Sequence, residues 1–142
     1  MNVTMQKFGY PDTLIAEYDH WVVLLRPSQV TLGSLVLAAK SDATAYGQLP
    51  PAAFSEQANI VAAIERRLKA FTEYERINYL MLMMVDPNVH FHVIPRYEGT
   101  RTWAGVDFLD AGWPGPPRLD AATVLDPAIQ RKMKDEVALN FR

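Results

Sequence analysis

The sequence contains no cysteine. This absence excludes disulfide bonds and a cysteine nucleophile, and it is compatible with the reducing cytoplasm, where we expect the protein to reside. Long apolar runs are missing as well. The longest, at residues 79–85, falls far short of the roughly 20 residues that a membrane-spanning helix needs. Residues 1–7 lack a basic stretch followed by an apolar one, so we expect neither a secretory signal nor membrane association.

A strong charge imbalance is also missing. The chain has 14 Lys and Arg residues against 16 Asp and Glu residues, for a net charge of −2. Nucleic-acid-binding proteins usually carry a basic stripe, so we expect no nucleic-acid partner. A small anionic ligand, held by a few directed donors, remains compatible with this balance. The apolar content of 49% and the charged content of 21% are ordinary for a globular protein, and we expect one domain over residues 1–142.

Apolar segments and turn residues predict several strands, at residues 13–18, 21–26, 35–37 and 77–85. The first two are expected to form a hairpin that turns at Asp19 and His20. The last is apolar nearly throughout, which is typical of a central strand covered on both faces, and its methionines Met81, Met83 and Met84 are expected in the core. Residues 86–88 are expected to form a tight reversal into the next strand.

One long helix is expected to begin at Pro50 and Pro51, because proline is tolerated where the first amide has no helical partner. Its apolar residues recur at helical spacing and predict a single stripe packed on a sheet: Phe54, Ala58, Val61, Ile64, Leu68 and Phe71.

The two ends of the chain differ in composition from its centre. Residues 1–12 are expected to form an irregular arm, and the Gly- and Pro-rich residues 100–125 an extended loop. Asp126 followed by Pro127 predicts the cap and first turn of a C-terminal helix over residues 126–139. The whole pattern predicts an α+β fold: an antiparallel sheet of about five strands, the long helix on one face, and the C-terminal helix.

Polar and apolar residues alternate strictly from Asn88 to Val93, and this segment holds two of the three histidines. Such alternation is the signature of a strand with one polar and one apolar face. The apolar face, expected to point to the core, consists of Val89, Phe91 and Val93. The polar face consists of Asn88, His90 and His92. Pro95 is expected to end the ladder.

An uncharged imidazole is a competent nucleophile toward phosphorus, and an ordinary histidine pKa near 6.5 leaves the ring mostly unprotonated at neutral pH. In that role one ring nitrogen is free while the other is held by a carbonyl group. His90, in mid-strand, has backbone on either side to supply that carbonyl. His92, on the same face, can then donate to a phosphate oxygen in the transition state. The residues alone therefore favour phosphoryl chemistry.

Two other readings of the histidines stay open. His-x-His on a strand can give zinc two ligands from one face, with further ligands drawn from Asp86, Asp107, Asp110 or His20. The spacing of those candidates is not diagnostic of a metal site. The simplest alternative is structural: both imidazoles line a sheet face that a loop or a partner covers.

The segment Val89-His90-Phe91-His92-Val93-Ile94-Pro95-Arg96 resembles the histidine-triad (HIT) motif, His-φ-His-φ-His-φ-φ, in which φ is an apolar residue. His90 takes the middle position and His92 the third, whereas Asn88 replaces the first histidine. A looser resemblance extends over residues 14–99. It implies a HIT-like fold, and proteins of that family form homodimers. Trp103 and Trp113 either cap a pocket or pack at a subunit contact.

The resemblance also implies a reaction. HIT proteins transfer or hydrolyse nucleoside monophosphates, such as those of dinucleoside polyphosphates and phosphoramidates, through a nucleotidyl-histidine intermediate, with no metal or cofactor. By this resemblance His90 is the nucleophile, His92 contacts the phosphate, and Asn88 orients the site. Ser34 and Arg26 stand where some members have a further histidine and a ribose-binding asparagine. Together with Asn88 and Arg96, they are candidate substrate-binding residues. A nucleotide-binding module with little turnover is the alternative function.

Overall fold

The structure, a computed structural model, describes residues 2–142. Its helices are α1 (Val3–Lys7), α2 (Pro51–Thr72) and α3 (Pro127–Ala138), with a short 3₁₀ turn at Tyr46–Gln48. Its strands are β1 (Leu14–Glu17), β2 (Trp21–Leu25), β3 (Ser28–Gln29), β4 (Leu35–Ala39), β5 (Arg76–Leu80), β6 (His90–Arg96), β7 (Thr100–Trp103), β8 (Val106–Leu109) and β9 (Thr123–Val124).

Five strands form the main sheet, in the order β1-β2-β4-β6-β5, and every neighbouring pair is antiparallel. The long helix α2 packs on one face, and the C-terminal helix α3 begins at Pro127 with the Asp126 side chain as its cap. The predicted α+β architecture is therefore confirmed. Among residues 2–142, no helix is long and apolar enough to cross a membrane.

Helix α2 begins at Pro51, as expected, but its buried line differs from the predicted stripe. Ile64 and Leu68 are fully buried, whereas Phe54 and Ala58 lie on the exposed side. The other residues that face the sheet are Ala53, Ile60 and Thr72. Gly33, which precedes β4, allows the C-terminal end of α2 to approach closely. Its φ is +88°, and an added Cβ would lie 2.8 Å from Cγ2 of Thr72.

The strand predicted at 77–85 is wrong in extent and position. Strand β5 ends at Leu80 and lies at the edge of the sheet, paired only with β6. Residues 81–89 form an open loop rather than a tight reversal, and the side chains of Met84 and Val85 are 85% exposed. Met81 and Met83 do pack against the core. A continuous apolar run carries no periodicity, so it could not distinguish a buried strand from an apolar loop.

Strand β6 lies between β4 and β5, and its alternation is confirmed, because Val89 and Val93 point into the core. Contrary to expectation, β6 continues through Pro95. The amide of Glu75 donates to the carbonyl of Arg96 on the β5 side, so the polar groups of Pro95 face the β4 side. On that side β4 begins only at Leu35, opposite Val93, so no β4 residue lies opposite Pro95. The missing N–H of Pro95 therefore costs no ladder bond.

The N-terminal arm predicted for residues 1–12 is also wrong in part. Helix α1 begins after Asn2, whose side-chain oxygen accepts from the amide of Met5 at 2.8 Å. The side-chain amide of Asn2 also donates to the carbonyls of Ala39 and Ser41. Helix α1 and the following turn cover the face of the sheet opposite α2, where Met5 and Phe8 pack on Val22, Leu24, Val36 and Ala38. A helix this short has little sequence periodicity, so tertiary contacts decide it.

Residues 100–125 are more ordered than the predicted extended loop. Strands β7 and β8 form a hairpin, with Ala104 and Gly105 both at positive φ, the geometry that suits a two-residue turn. Strand β9 then pairs with β3. Trp103 packs within the chain, since its Nε1 donates to Glu136 at 2.7 Å.

Candidate active site

His90 is fully buried at the start of β6. Its Nδ1 lies 2.7 Å from the backbone carbonyl oxygen of Asn88. A carbonyl only accepts hydrogen bonds, so Nδ1 carries the proton. The other ring nitrogen, Nε2, has no hydrogen-bond partner among residues 2–142. In the neutral ring Nε2 is thus an available lone pair, as a nucleophile requires.

His92 follows on the same face, with its ring centroid 5.1 Å from that of His90. The Nε of Arg26, at the end of β2, donates to Nδ1 of His92 over a long distance of 3.4 Å. Because a guanidinium only donates, Nδ1 is the acceptor and Nε2 carries the proton. Burial, followed by the positive charge of Arg26, lowers the pKa of His92 to about 4. The two imidazoles therefore hold opposite tautomers.

A pocket of about 440 Å³ opens beside His92. Its charged lining consists of Lys7, Arg26 and Asp86, and Lys7 and Asp86 form an ion pair at 2.8 Å. Burial lowers the pKa of Arg26, and Asp86 partly offsets this effect. The remaining walls are largely apolar and consist of Phe8, Pro27, Ser28, Leu82, Met84 and Val85. The pocket combines cationic groups with an apolar wall, which suits a ligand with both an anionic and an apolar part.

The side chain of Asn88 does not enter this pocket. Its Oδ1 accepts from the hydroxyl of Thr4 at 3.0 Å and from the Thr4 amide at 3.4 Å. Its Nδ2 donates to the carbonyl of Asp42 at 3.1 Å. Asn88 thus orients His90 through its backbone carbonyl, whereas its side chain ties helix α1 to the sheet.

The structure does not place Ser34 and Arg96 in the lining of this pocket, in contrast to the substrate-binding role predicted for them. The Ser34 hydroxyl is fully buried and bonds to the amide and carbonyl of Thr31 within a turn. Arg96 is 4% exposed and forms a bidentate ion pair with Asp110, at 2.7 and 3.1 Å. It also donates to Asn78 and to the carbonyl of Gly115. The Ser34 hydroxyl is engaged within its turn. Arg96 uses its guanidinium to tie Asp110, Asn78 and Gly115 together, and it lines a separate pocket that includes Trp113.

Of the residues considered as zinc ligands, only Asp86 shares the pocket lining with His92, and Asp86 pairs with Lys7. Asp110 pairs with Arg96, Asp107 bonds to the hydroxyl of Thr102, and His20 lies at the β1–β2 turn. Within residues 2–142, no group of three or more His, Asp or Glu side chains has an arrangement that could hold a metal ion.

Several residues that line the pocket were not predicted from the sequence to belong to the site. Lys7 and Phe8 come from the N-terminal segment, and Leu82, Met84 and Val85 come from a run that was assigned to the core. Lys7 reaches the pocket through its ion pair with Asp86, and no local sequence pattern predicts a contact between such distant residues. The turn-forming residues Asp86 and Pro87, directly after the apolar run, could have indicated a loop within residues 81–89.

Solved structures with this architecture include several histidine-triad proteins. A histidine triad protein from Bradyrhizobium japonicum aligns with a TM-score of 0.72 at 16% identity, over 100% of this chain and 97% of that one. A HIT protein from Sinorhizobium meliloti aligns with a TM-score of 0.71 at 24% identity, over 99% and 95%. A hypothetical histidine triad nucleotide-binding protein from Sulfolobus tokodaii gives 0.67 at 17% identity, over 91% and 83%.

No family model and no curated protein matches the sequence. The structural likeness shows that this chain has the HIT-like fold. At these identities it shows the fold alone, and the activity has to be argued from the site.

Proposed function

We propose that the protein is a HIT-type nucleotidyl hydrolase or transferase that acts on the α-phosphate of a nucleoside phosphate anhydride, ester or phosphoramidate. The observation that carries this proposal is the opposite protonation of two adjacent imidazoles. His90 offers a lone pair at Nε2, and His92 offers an N–H at the same ring position. One ring can attack phosphorus while the other donates to a non-bridging oxygen.

The reaction proceeds in two displacements. Nε2 of His90 attacks the α-phosphorus, a P–N bond forms, and the bond to the leaving group breaks as that group takes up a proton from solvent. Water or another acceptor then attacks the same phosphorus and gives up a proton to solvent, the P–N bond breaks, and the nucleoside monophosphate departs with a new P–O bond. His90 returns to its starting state, and no atom changes oxidation state in the cycle.

The pocket supports a nucleotide as the ligand. Lys7 and Arg26 supply positive charge beside His92, where the phosphates would lie. Leu82, Met84 and Val85 form an apolar wall suited to the nucleoside. The volume of about 440 Å³ falls within the usual range for small-molecule sites, roughly 300–1,000 Å³.

The test is turnover of a panel that contains diadenosine polyphosphates, adenosine phosphoramidate and aminoacyl adenylates, in the presence of a chelator. We expect nucleotide release by the wild-type protein, its loss in His90→Ala, and a strong reduction in His92→Ala. His20→Ala is the matched control and retains activity, because His20 lies at the distant β1–β2 turn. Activity that requires added zinc would contradict this mechanism.

One observation favours the alternative, a nucleotide-binding module with little turnover. Nε2 of His90 is buried in this structure and does not line the pocket. Nucleotide binding by calorimetry without release from any compound would support that alternative.

We also propose a homodimer, as the resemblance implies. The outer side of α2 presents Phe54, Ala58 and Val61 around a shallow depression, and such an apolar face suits a second copy. Light scattering at several concentrations tests this, with Phe54→Glu expected to give monomers and Glu56→Gln as a charge-changing control on the same helix. A monomeric wild type would contradict it.

A further inference from the structure

Phe8 lies over both imidazoles of the candidate site. Its ring centroid is 5.7 Å from that of His90 and 5.5 Å from that of His92, the latter in an edge-on arrangement. Phe8 itself is only 8% exposed, while His90 is 0% exposed. Nε2 of His90 is buried and has no hydrogen-bond partner among residues 2–142. A phosphorus atom therefore reaches it only when groups packed around the imidazole move, and the ring of Phe8 is one of those groups.

Apolar packing of Met5 and Phe8 on the sheet holds the segment that carries Phe8, and the Thr13 hydroxyl donates to the Phe8 carbonyl at 2.7 Å. Further polar contacts fasten its two ends. Thr4 and Asn88 exchange hydrogen bonds, since the Thr4 hydroxyl donates to Oδ1 of Asn88 and accepts from the Asn88 amide at 3.2 Å. Asn2 fastens the start of α1 to the carbonyls of Ala39 and Ser41. At the other end of the segment, Lys7 forms an ion pair with Asp86. The side chain of Lys7 is 52% exposed.

The side chain of Asn88 is suited by its size and chemistry to link helix α1 to the rest of the fold. Its amide presents an acceptor and a donor on one short planar group. The acceptor serves Thr4 on the N-terminal helix, and the donor serves the carbonyl of Asp42 in the loop beyond β4. The side chain at the first triad position therefore faces the covering helix rather than the substrate pocket.

We propose that residues 2–10 form a cover over the nucleophile, with Phe8 as its plug and the Asn88–Thr4 contact as its latch. Substrate reaches His90 only when the cover opens. This inference rests on the proposed function for its biological meaning, but the cover itself can be tested without any substrate.

The experiment measures the rate at which diethyl pyrocarbonate modifies each histidine of the full chain, with modified sites located by peptide fragmentation. The three histidines report separately: His20 lies outside the site, His92 lines the pocket, and His90 lies under Phe8. In the wild type we expect His90 to react more slowly than His92 and His20.

Phe8→Ala is expected to raise the rate at His90 by at least about tenfold, because reactivity follows the population of the open state. Thr4→Val, which keeps Phe8 but loses the latch, is expected to raise it less. Val3→Ala, at a position 62% exposed on the same helix, is the matched control and leaves the rate unchanged. The rate at His20 and the far-ultraviolet circular dichroism spectrum show whether each variant is folded.

An unchanged rate at His90 in both Phe8→Ala and Thr4→Val would overturn the cover. The proposed function fails separately. If His90 becomes reactive in Phe8→Ala but no compound of the panel is turned over, the cover stands and the nucleotidyl transfer does not. If wild-type turnover depends on His90 while the modification rates stay unchanged in both variants, the function stands and the cover does not.

Discussion

The Nδ1 of His90 lies 2.7 Å from the carbonyl oxygen of Asn88, whereas the Nδ1 of His92 accepts from the guanidinium of Arg26. Two neighbouring imidazoles are thereby set in opposite tautomers. We expect long-range ¹H–¹⁵N correlation spectra at neutral pH to show a protonated Nδ1 in His90 and a protonated Nε2 in His92. Arg26→Ala is expected to alter the pattern of His92 alone. The same tautomer in both rings would contradict the assignment.

His92 makes stability depend on pH in a defined window. Its pKa in the folded protein is lowered from 6.5 to about 4, so below pH 6.5 the unfolded chain takes up a proton that the folded protein does not bind. The contribution of His92 to the free energy of unfolding is complete above pH 6.5 and is lost as the pH falls toward 4. This contribution amounts to at most about 3 kcal/mol, and solvent screening in the adjoining pocket reduces it.

Urea denaturation of wild type and His92→Gln at several pH values between 4 and 7.5 measures this effect. The free energy of unfolding of the wild type is expected to fall more steeply below pH 6.5 than that of His92→Gln. His20→Gln, the control, should follow the wild type. Parallel curves for wild type and His92→Gln would show that the pKa of His92 is not lowered.

Arg26 is expected to bind the phosphate as well as to orient His92. A hydrogen bond to a charged group contributes roughly 1.5–3 kcal/mol, so Arg26→Ala should raise KM by roughly ten- to a hundredfold. Arg26→Lys, which keeps the charge but not the planar fork, should fall between. Arg76→Ala, at an exposed position on β5, is the matched control. Equal KM values for Arg26→Ala and wild type would remove Arg26 from the site.

Arg96 and Asp110 are expected to act on stability rather than on substrate binding. Their side chains are 4% and 1% exposed, and removal of one partner leaves the other charge buried, at a cost of about 3–5 kcal/mol. Arg96→Ala and Asp110→Ala should each lower the free energy of unfolding in urea by that amount. Arg118→Ala breaks the exposed pair with Asp120 and should leave the free energy of unfolding nearly unchanged, because solvent screens exposed charges. Equal losses in both pairs would contradict this account.

The sequence was sufficient where its signal was periodic. The alternation from Asn88 to Val93 correctly predicted a strand with its apolar side in the core, and the hairpin at Asp19 and His20 followed from turn residues. The helix start at Pro51 was also confirmed. In each case a local rule and the tertiary structure agree.

The sequence was insufficient where contacts between distant residues decide the structure. Helix α1 depends on Asn2 and Thr4, which bond to residues 37 to 84 positions away along the chain. Arg96 was predicted as a candidate substrate-binding residue, and the structure shows it in a buried ion pair with Asp110. The contacts of Asn88 were equally out of reach of a local pattern: its backbone carbonyl holds His90, whereas its side chain bonds to Thr4.

The central claim is that His90 forms a covalent bond to the α-phosphorus. Its most direct test is rapid mixing with a panel substrate in the presence of a chelator, followed by quenching and mass spectrometry of the protein. We predict an adduct with the mass of the nucleoside monophosphate less water, located at His90 by fragmentation and missing in His90→Ala. Turnover without an adduct on His90, or turnover retained in His90→Ala, would contradict the account.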